Sequence, residues 1–258
     1  VEGLAGQLPS IGAGPVLSDI IRLPGVDHHH LTATKRNSGA ILETVNQIRQ
    51  YSLACEDGPG VTFSHTLPSA ESYFETVASK YVERAQANGI ENVVLLMSRR
   101  NGAADEPTWC TDYANARLRD LLNPHAIKIP GTASLHVNDR IVIRDNMSLG
   151  ENEDGMEIRV VNGDTGTITR FQPHSDPKHR GPQYVVIKLD DGRFIQFPGD
   201  SLKELQHSYA ATVHMAQGSE YKDVMLVMTP GQASFMNANM FLTGASRARE
   251  GLWIYGDD

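Results

Sequence analysis

Cysteine is nearly missing from this chain. Only Cys55 and Cys110 occur among 258 residues, far apart and outside any CxxC pair. That excludes a disulfide framework and a zinc site built on cysteines, and it makes a reducing cytoplasm the expected compartment. No run approaches eighteen apolar residues, so a membrane-spanning helix is not expected. Positive charge is short as well: Lys+Arg 23 against Asp+Glu 31 leaves a net charge of −8 and a pI near 5.7. A sequence-blind nucleic-acid coat needs a net positive field, so that class is excluded, while a groove lined locally by cations is not. Aromatics make up 7%. The first residues lack a charged n-region, an apolar h-region and an initial methionine. They read as no signal peptide but as the start of a processed or excised fragment.

What is present is ordinary for a globular chain. Hydrophobic residues at 40% and charged residues at 21% supply a sizeable core. The length suits two modest domains, or one domain with an insertion. Arginine outnumbers lysine 16 to 7, a weak pointer to phosphate chemistry because the guanidinium is the better bidentate fork.

The texture changes along the chain. Ile41, Val45 and Ile48 recur at helical spacing and predict a helix over 40–50. An edge strand is expected at 61–63, and a second helix over 69–88, stopped by Asn88-Gly89. Val93 to Met97 is a short continuous apolar run, the mark of a buried parallel strand. A third helix is expected over 111–122, ending before Pro124. From about residue 135 the pattern becomes five short strands, at 141–143, 157–161, 165–169, 184–189 and 193–197. Asn162-Gly163-Asp164 and Asp190-Asp191-Gly192-Arg193 read as hairpin turns between them. This spells a small β-barrel. The α/β texture then returns: a strand at 224–228, a helix over 235–248 and a strand at 252–255. The expected fold is an α/β domain with a parallel sheet and helices on both faces, interrupted by a small β-barrel.

Four segments stand out chemically. Thr212 to Glu220 contains Gln217-Gly218-Ser219-Glu220, which puts backbone N–H groups, a hydroxyl and a carboxylate together before a strand. Such a turn suits phosphate and ribose; a polar loop is the alternative. Thr243 to Glu250 carries Arg247 and Arg249 on the predicted helix, pointing in different directions. One would face a phosphate, or both would be solvated. Lys35-Arg36-Asn37 places cations at a helix N-terminus, where the dipole opposes them, and so leans towards anion binding. Gly6-Gln7-Leu8-Pro9-Ser10 is a polar side chain followed by a rigid turn.

In this order the four segments resemble the late motifs of superfamily-1 DNA helicases of the RecD/TraA type. Gln7-Leu8-Pro9-Ser10, with Gly14 and Leu17, is similar to motif III, and Lys35-Arg36-Asn37 to motif IV. Residues 95–124 resemble the family's segment between motifs IV and V, with Arg99, Arg100 and Asn115. Residues 212–220 resemble motif V and 243–250 motif VI. The β-rich stretch, entered through Asn138-Asp139-Arg140, is similar to the family's SH3-like 2B domain. The resemblance divides the chain into 1–30, the tail of a first RecA-like domain; 31–134 with 208–258, the second RecA-like domain; and 135–207, an inserted SH3-like barrel.

The resemblance implies a motor that couples ATP hydrolysis to 5′→3′ movement on single-stranded DNA, in recombination and repair. Gln7 would sense the γ-phosphate, and Arg36 and Arg247 would act as arginine fingers. Gln217, Gly218 and Glu220 would contact the nucleotide. Thr212, His214, Arg99, Arg100 and Asn115 would contact DNA. ATP and Mg²⁺ belong to the complete enzyme. No Gly-Lys dipeptide occurs anywhere, so the P-loop motif GxxxxGK[ST] is absent. Neither Asp190-Asp191, a hairpin tip, nor Asp105-Glu106 reads as a Mg²⁺-holding pair after a strand. The chain therefore reads as the C-terminal half, unable to hydrolyse ATP alone, with a missing N-terminal RecA-like half as partner and no membrane partner.

Some positions depart from the family's pattern: Leu4-Ala5-Gly6, Met215, Gly244 and Ser246. A vestigial, non-catalytic DNA-binding module is the rival reading. A peptide-binding adaptor leaves the motifs unexplained. His28-His29-His30 is a poor tetrahedral ligand set, so no metal site is expected. His174, Lys178, His179 and Arg180 form a basic loop that would touch a DNA backbone or simply be solvated. Trp109, Tyr113 and Phe171 are candidate base-stacking residues, whereas Trp253 is expected in the core.

Overall fold

A computed structural model describes residues 16–27, 39–64, 70–104, 107–151, 155–176, 178–229 and 237–256. In chain order the elements are α1 (Val16–Arg22), α2 (Gly39–Arg49), β1 (Val61–Ser64), α3 (Ala70–Asn88), β2 (Val93–Met97) and α4 (Thr111–Leu122). Then follow β3 (Arg140–Ile143), β4 (Met147–Glu151), β5 (Glu157–Val160), β6 (Thr165–Pro173), β7 (Pro182–Leu189), β8 (Phe194–Pro198) and β9 (Leu205–His207). The chain closes with β10 (Ala210–Thr212), β11 (Tyr221–Met228), α5 (Ala238–Ala245) and β12 (Ala248–Gly256). These elements form two compact units, one of Val1–Val77, Asn92–Thr111 and Ala211–Asp258, the other of Ala78–Glu91 and Asp112–Ala210.

The first unit is built on a sheet of order β1-β12-β11-β2-β10. The strands β1, β12, β11 and β2 run parallel, with Val224 opposite both Leu252 and Val94. Every residue of β2 is buried, as the unbroken apolar run requires of a sheet covered on both faces. On one face Val94, Leu96, Val224, Leu226, Leu252 and Ile254 pack with the α2 positions Ile41, Val45 and Ile48 and with α5. An aromatic cluster is also buried in this unit: Trp109 lies 5.6 Å from Tyr73 and 5.5 Å from Phe74, ring centre to ring centre, and Tyr73 lies 6.1 Å from Tyr255. Trp109, at 2% exposure, is a core residue and not a base-stacking one.

The second unit is an antiparallel sheet of order β8-β7-β6-β3-β9, with β4 and β5 as a separate two-stranded ribbon. Ile141, Ile143, Ile168, Val185, Ile187, Ile195 and Phe197 form its core, and Phe171 packs partly buried against it. Alternation along β8 (exposed, buried, exposed, buried, exposed) fits one wet face and one dry face.

Two elements differ from expectation. Asn162-Gly163-Asp164 is a turn, with Asp164 N–H bonded to the Val161 carbonyl, but not a hairpin: β5 pairs with β4, while β6 pairs with β3 and β7. The helix expected to reach residue 248 stops at Ala245, so neither Arg247 nor Arg249 is helical. Strong helix formers in Ala-Ser-Arg-Ala-Arg are overridden because Ala248 enters the parallel ladder opposite Tyr221. Asp190-Asp191-Gly192-Arg193 is a hairpin turn as expected, closed by Leu189 N–H to the Arg193 carbonyl, with Gly192 at φ 91°. Among the described residues no helix is long and apolar enough to cross a membrane.

Candidate functional site

The strands β10 and β11 lie on opposite sides of β2, so residues 213–220 must cross over it. The crossing begins as a capped turn. Val213 N–H bonds to the Met97 carbonyl, anchoring it to the end of β2. Thr212 Oγ1 accepts from Met215 N–H at 3.3 Å, and its carbonyl accepts from Ala216 N–H. This is the work of an N-cap hydroxyl. His214, Gln217 and Glu220 project as exposed side chains, while Val213 and Ala216 are buried below them. Gly218 is exposed, at φ 92°, and nothing lies within 4 Å of where its Cβ would be. The backbone there is open to a ligand at close range.

Arg247 joins this turn from the other motif. Its side chain is 2% exposed. Nε donates to the Thr243 carbonyl at 3.0 Å, Nη1 to the Ser219 carbonyl at 3.2 Å and Nη2 to Ser246 Oγ at 3.3 Å. The backbone repeats the link, with Tyr221 N–H donating to the Arg247 carbonyl at 3.0 Å. Gly244 explains one departure from the family's pattern. A Cβ there would stand 3.0 Å from Leu226 Cδ1 and 3.5 Å from Val213 Cγ2, so α5 lies close to the sheet at this point. Arg249, by contrast, is exposed on β12.

Arg99 and Arg100 follow the carboxyl end of β2, the edge where open parallel sheets gather ligands. The Arg99 carbonyl accepts from Thr111 N–H at 3.2 Å. Asn115 has a different place. Only 8% exposed, it accepts from Tyr209 N–H and Ala210 N–H at 2.8 Å each and donates to the Ala210 carbonyl at 3.0 Å. Its amide is consumed as a backbone clip. Gln7, Arg36, Lys35 and His28-His29-His30 lie outside the described residues. Among the described residues no group of three or more His, Cys, Asp or Glu side chains is placed to hold a metal ion.

The second unit contains a buried polar cluster that the sequence did not announce. Asp139 is fully buried. Its carboxylate accepts from His136 N–H at 2.8 Å and Asn123 Nδ2 at 2.9 Å, and pairs with His207 Nε2 at 2.9 Å. Burial alone would push this carboxyl up. The hydrogen bonds from His207 and Asn123, the His207 charge and the His136 N–H outweigh burial and hold it below the ordinary range. Tyr209, beside it, has its hydroxyl pushed up by burial and by the Asp139 charge. Arg140 is tied by a bidentate pair to Asp190, which also accepts from Thr165 Oγ1. Only the short Asn138-Asp139-Arg140 run marks this cluster in the sequence.

Residues 207–255, which include both the Thr212–Glu220 crossover and Arg247, match the family model of the UvrD-like helicase C-terminal domain. Two relatives align with a larger stretch. An uncharacterized protein of Methanocaldococcus jannaschii is 36% identical over 98 residues, 38% of this chain and 8% of that protein. The ATP-dependent RecD2 DNA helicase of Deinococcus radiodurans is 36% identical over 102 residues, 36% of this chain and 14% of that protein. Among solved structures, a Bacteroides Pif1 helicase in complex with ADP-AlF3 and single-stranded DNA superposes with a TM-score of 0.53 at 17% identity, over 96% of this chain and 60% of that one. The chain thus spans only part of each of these proteins. The α/β core with its parallel sheet is the RecA-like fold expected from the sequence.

Proposed function

We propose that this chain is the C-terminal portion of an ATP-dependent 5′→3′ DNA helicase of the RecD/TraA type, with residues 31–134 and 208–258 as its second RecA-like domain and 135–207 as an SH3-like insertion. The observation that carries the reading is the junction of the two motif segments. Arg247 is locked to Ser219 at the foot of β11 and β12, inside the stretch that matches the helicase C-terminal family. The RecD2 and Pif1 likenesses support it.

The exposed side chains fit a nucleotide and its metal only as half a site. Gly218 leaves space for a phosphate or ribose to approach the backbone, and Gln217 and Glu220 stand beside it. The N–H nest and lysine of a P-loop have no counterpart here and would come from the partner half, together with the Mg²⁺ ligands. Gly218, Gln217 and Glu220 would help to hold ATP, which would supply the phosphoryl group. Arg247, already oriented by three acceptors, would stabilise charge on that group without reorganising. Arg36 and Gln7 would act from their own segments. Thr212, His214, Arg99 and Arg100 would meet single-stranded DNA. Asn115 would serve only to clip the backbone of Tyr209 and Ala210. The reading implies a cytoplasmic protein.

One observation favours the rival, a vestigial DNA-binding module: at least three of Arg247's five donors are already engaged. The discriminating experiment is ATP turnover by a longer protein in which a P-loop half precedes this region, with and without Arg247→Ala. A working arginine finger predicts a fall in turnover of roughly a thousandfold or more with nucleotide binding retained. Turnover that ignores the substitution removes the motor reading and leaves the module.

A further inference from the structure

The hydroxyl of Ser246 sits between a backbone carbonyl and a guanidinium, and hydrogen-bonding capacity fixes which way it points. Ser246 is the C-cap of α5 and is 4% exposed. At φ −68° and ψ −6° it continues the helical turn, so its Oγ reaches back three residues to the Thr243 carbonyl, at 2.9 Å. The same Oγ stands 3.3 Å from Arg247 Nη2. A serine hydroxyl has one proton to give, and a guanidinium has donors only. The proton therefore goes to the carbonyl, and a lone pair of the same oxygen receives Nη2. Donating in one direction makes the oxygen a better acceptor in the other.

The Thr243 carbonyl takes part twice, accepting from Ser246 Oγ and from Arg247 Nε. Nε, the carbonyl, the hydroxyl and Nη2 thus close a ring of three hydrogen bonds along one edge of the guanidinium. Nη1 reaches a further acceptor on a different segment, the Ser219 carbonyl at 3.2 Å. Acceptors from two segments therefore set the plane of the fork. The Arg247 backbone is held as well: its N–H donates to the Gly244 carbonyl at 3.1 Å, and its carbonyl accepts from Tyr221 N–H at 3.0 Å. Of the acceptors at Thr243, Ser219 and Ser246, only the last belongs to a side chain. The two carbonyls persist whatever residue stands at 243 or 219, whereas the hydroxyl depends on the residue at 246.

We propose that Ser246 is a positioning residue for Arg247: its hydroxyl sets the plane in which the guanidinium meets the phosphoryl group. The inference rests on the arginine-finger reading of Arg247 and adds to it a residue that acts only through another. Ser246 makes and breaks no bond in the reaction. Charge in a transition state is stabilised by donors that are already in place, and a misplacement of about 1 Å costs about a hundredfold in rate. With alanine at 246, Nη2 loses this acceptor in a buried site, and the fork turns towards another. Threonine keeps a hydroxyl on the same carbon and re-forms the ring. Cysteine offers only a weak acceptor there.

The test is ATP turnover by a longer protein in which a P-loop half precedes this region, with Ser246→Ala, Ser246→Cys, Ser246→Thr, Arg247→Ala, Arg247→Lys and the double variant Ser246→Ala/Arg247→Lys. Ser246→Ala should lower kcat about ten- to a hundredfold with KM for ATP unchanged. Ser246→Cys should fall between serine and alanine, and Ser246→Thr should restore the rate. In the Arg247→Lys background no fork remains to orient. Removing the hydroxyl there should have little further effect, the non-additivity of two groups that act as a unit. In the present chain, the Nη2 protons of Arg247 should give resolved, slowly exchanging NMR signals that Ser246→Ala broadens. Arg247 signals that ignore Ser246→Ala would overturn the proposal. So would a kcat loss that multiplies undiminished in the Arg247→Lys background, or that Ser246→Thr fails to recover, because a serine that merely supports the turn behaves that way. Unchanged kcat in Ser246→Ala beside a large loss in Arg247→Ala would overturn it too and leave the arginine-finger reading intact. Turnover that ignores Arg247→Ala would remove that reading and this inference with it.

Discussion

The guanidinium of Arg247 reaches the carbonyl oxygen of Ser219, 28 residues away in sequence, at 3.2 Å. This bond and its backbone companion from Tyr221 to Arg247 hold the crossover after β10 against the turn that launches β12. Removing the side chain should therefore loosen the unit. Arg247→Ala is expected to destabilise the chain by roughly 2–4 kcal/mol, because the Ser219 and Thr243 carbonyls and the Ser246 hydroxyl lose a buried donor. Arg247→Lys should recover part of this and none of the fork geometry. Urea unfolding of the two variants checks the order; equal stability of wild type and Arg247→Ala would show that the junction contributes nothing.

Asn115 separates a clip from a DNA contact. Its three bonds to Tyr209 and Ala210 leave two backbone N–H groups and one carbonyl stranded when the amide is removed. Asn115→Ala is expected to cost about 2–4 kcal/mol. Asn115→Asp keeps the acceptor, loses the donor and should also destabilise. Neither should alter the salt slope of oligonucleotide binding under conditions where the variant stays folded. A flatter slope at unchanged stability would return Asn115 to the DNA surface.

Trp109 offers a similar contrast. Buried against Tyr73 and Phe74, it should cost roughly 3–5 kcal/mol on truncation to alanine. At low denaturant and low temperature, the remaining folded protein should bind an oligonucleotide like wild type. A binding defect without a stability defect would make it a stacking residue after all.

Much of this architecture was legible in the sequence. The apolar run at Val93–Met97 and the helix at Thr111–Leu122 stand where the pattern placed them, because continuous burial and a 3.6-residue period leave clear marks. The three-residue strands β9 and β10 left no period to read. The end of α5 was misjudged because ladder pairing at Ala248 outweighs local propensity. The candidate site was half legible. The segments Thr212–Glu220 and Thr243–Glu250 could be singled out by type and order, but that Arg247 meets Ser219 is a fact of strand order. The Asp139 cluster draws on residues from Arg119 to Tyr209, and only the return of β9 beside β3 assembles it.

That cluster predicts an acid limit for the second unit. Asp139 directly precedes β3 and His207 ends β9, so one carboxylate ties both ends of this sheet's chain segment to Asn123 at the end of α4. Its folded carboxyl titrates below the ordinary value, whereas in the unfolded chain it titrates near about 3.9. Between those two values the unfolded state binds the extra proton. The stabilisation is thus fully present above about pH 5 and is lost as pH falls below about 4, through the folded value. The facing groups, His136, His207, Arg119 and Tyr209, leave no second carboxylate in the cluster to blur the transition apart from Asp120, which is exposed and paired with Arg119. Urea unfolding at pH 7, 5 and 3.5 should show stability falling over the last interval, and Asp139→Asn should lie lower at pH 7 and fall less steeply. Parallel pH dependences for the two proteins would mean that acid sensitivity resides in other carboxylates, and that the ends of β3 and β9 are held by packing rather than by this charge.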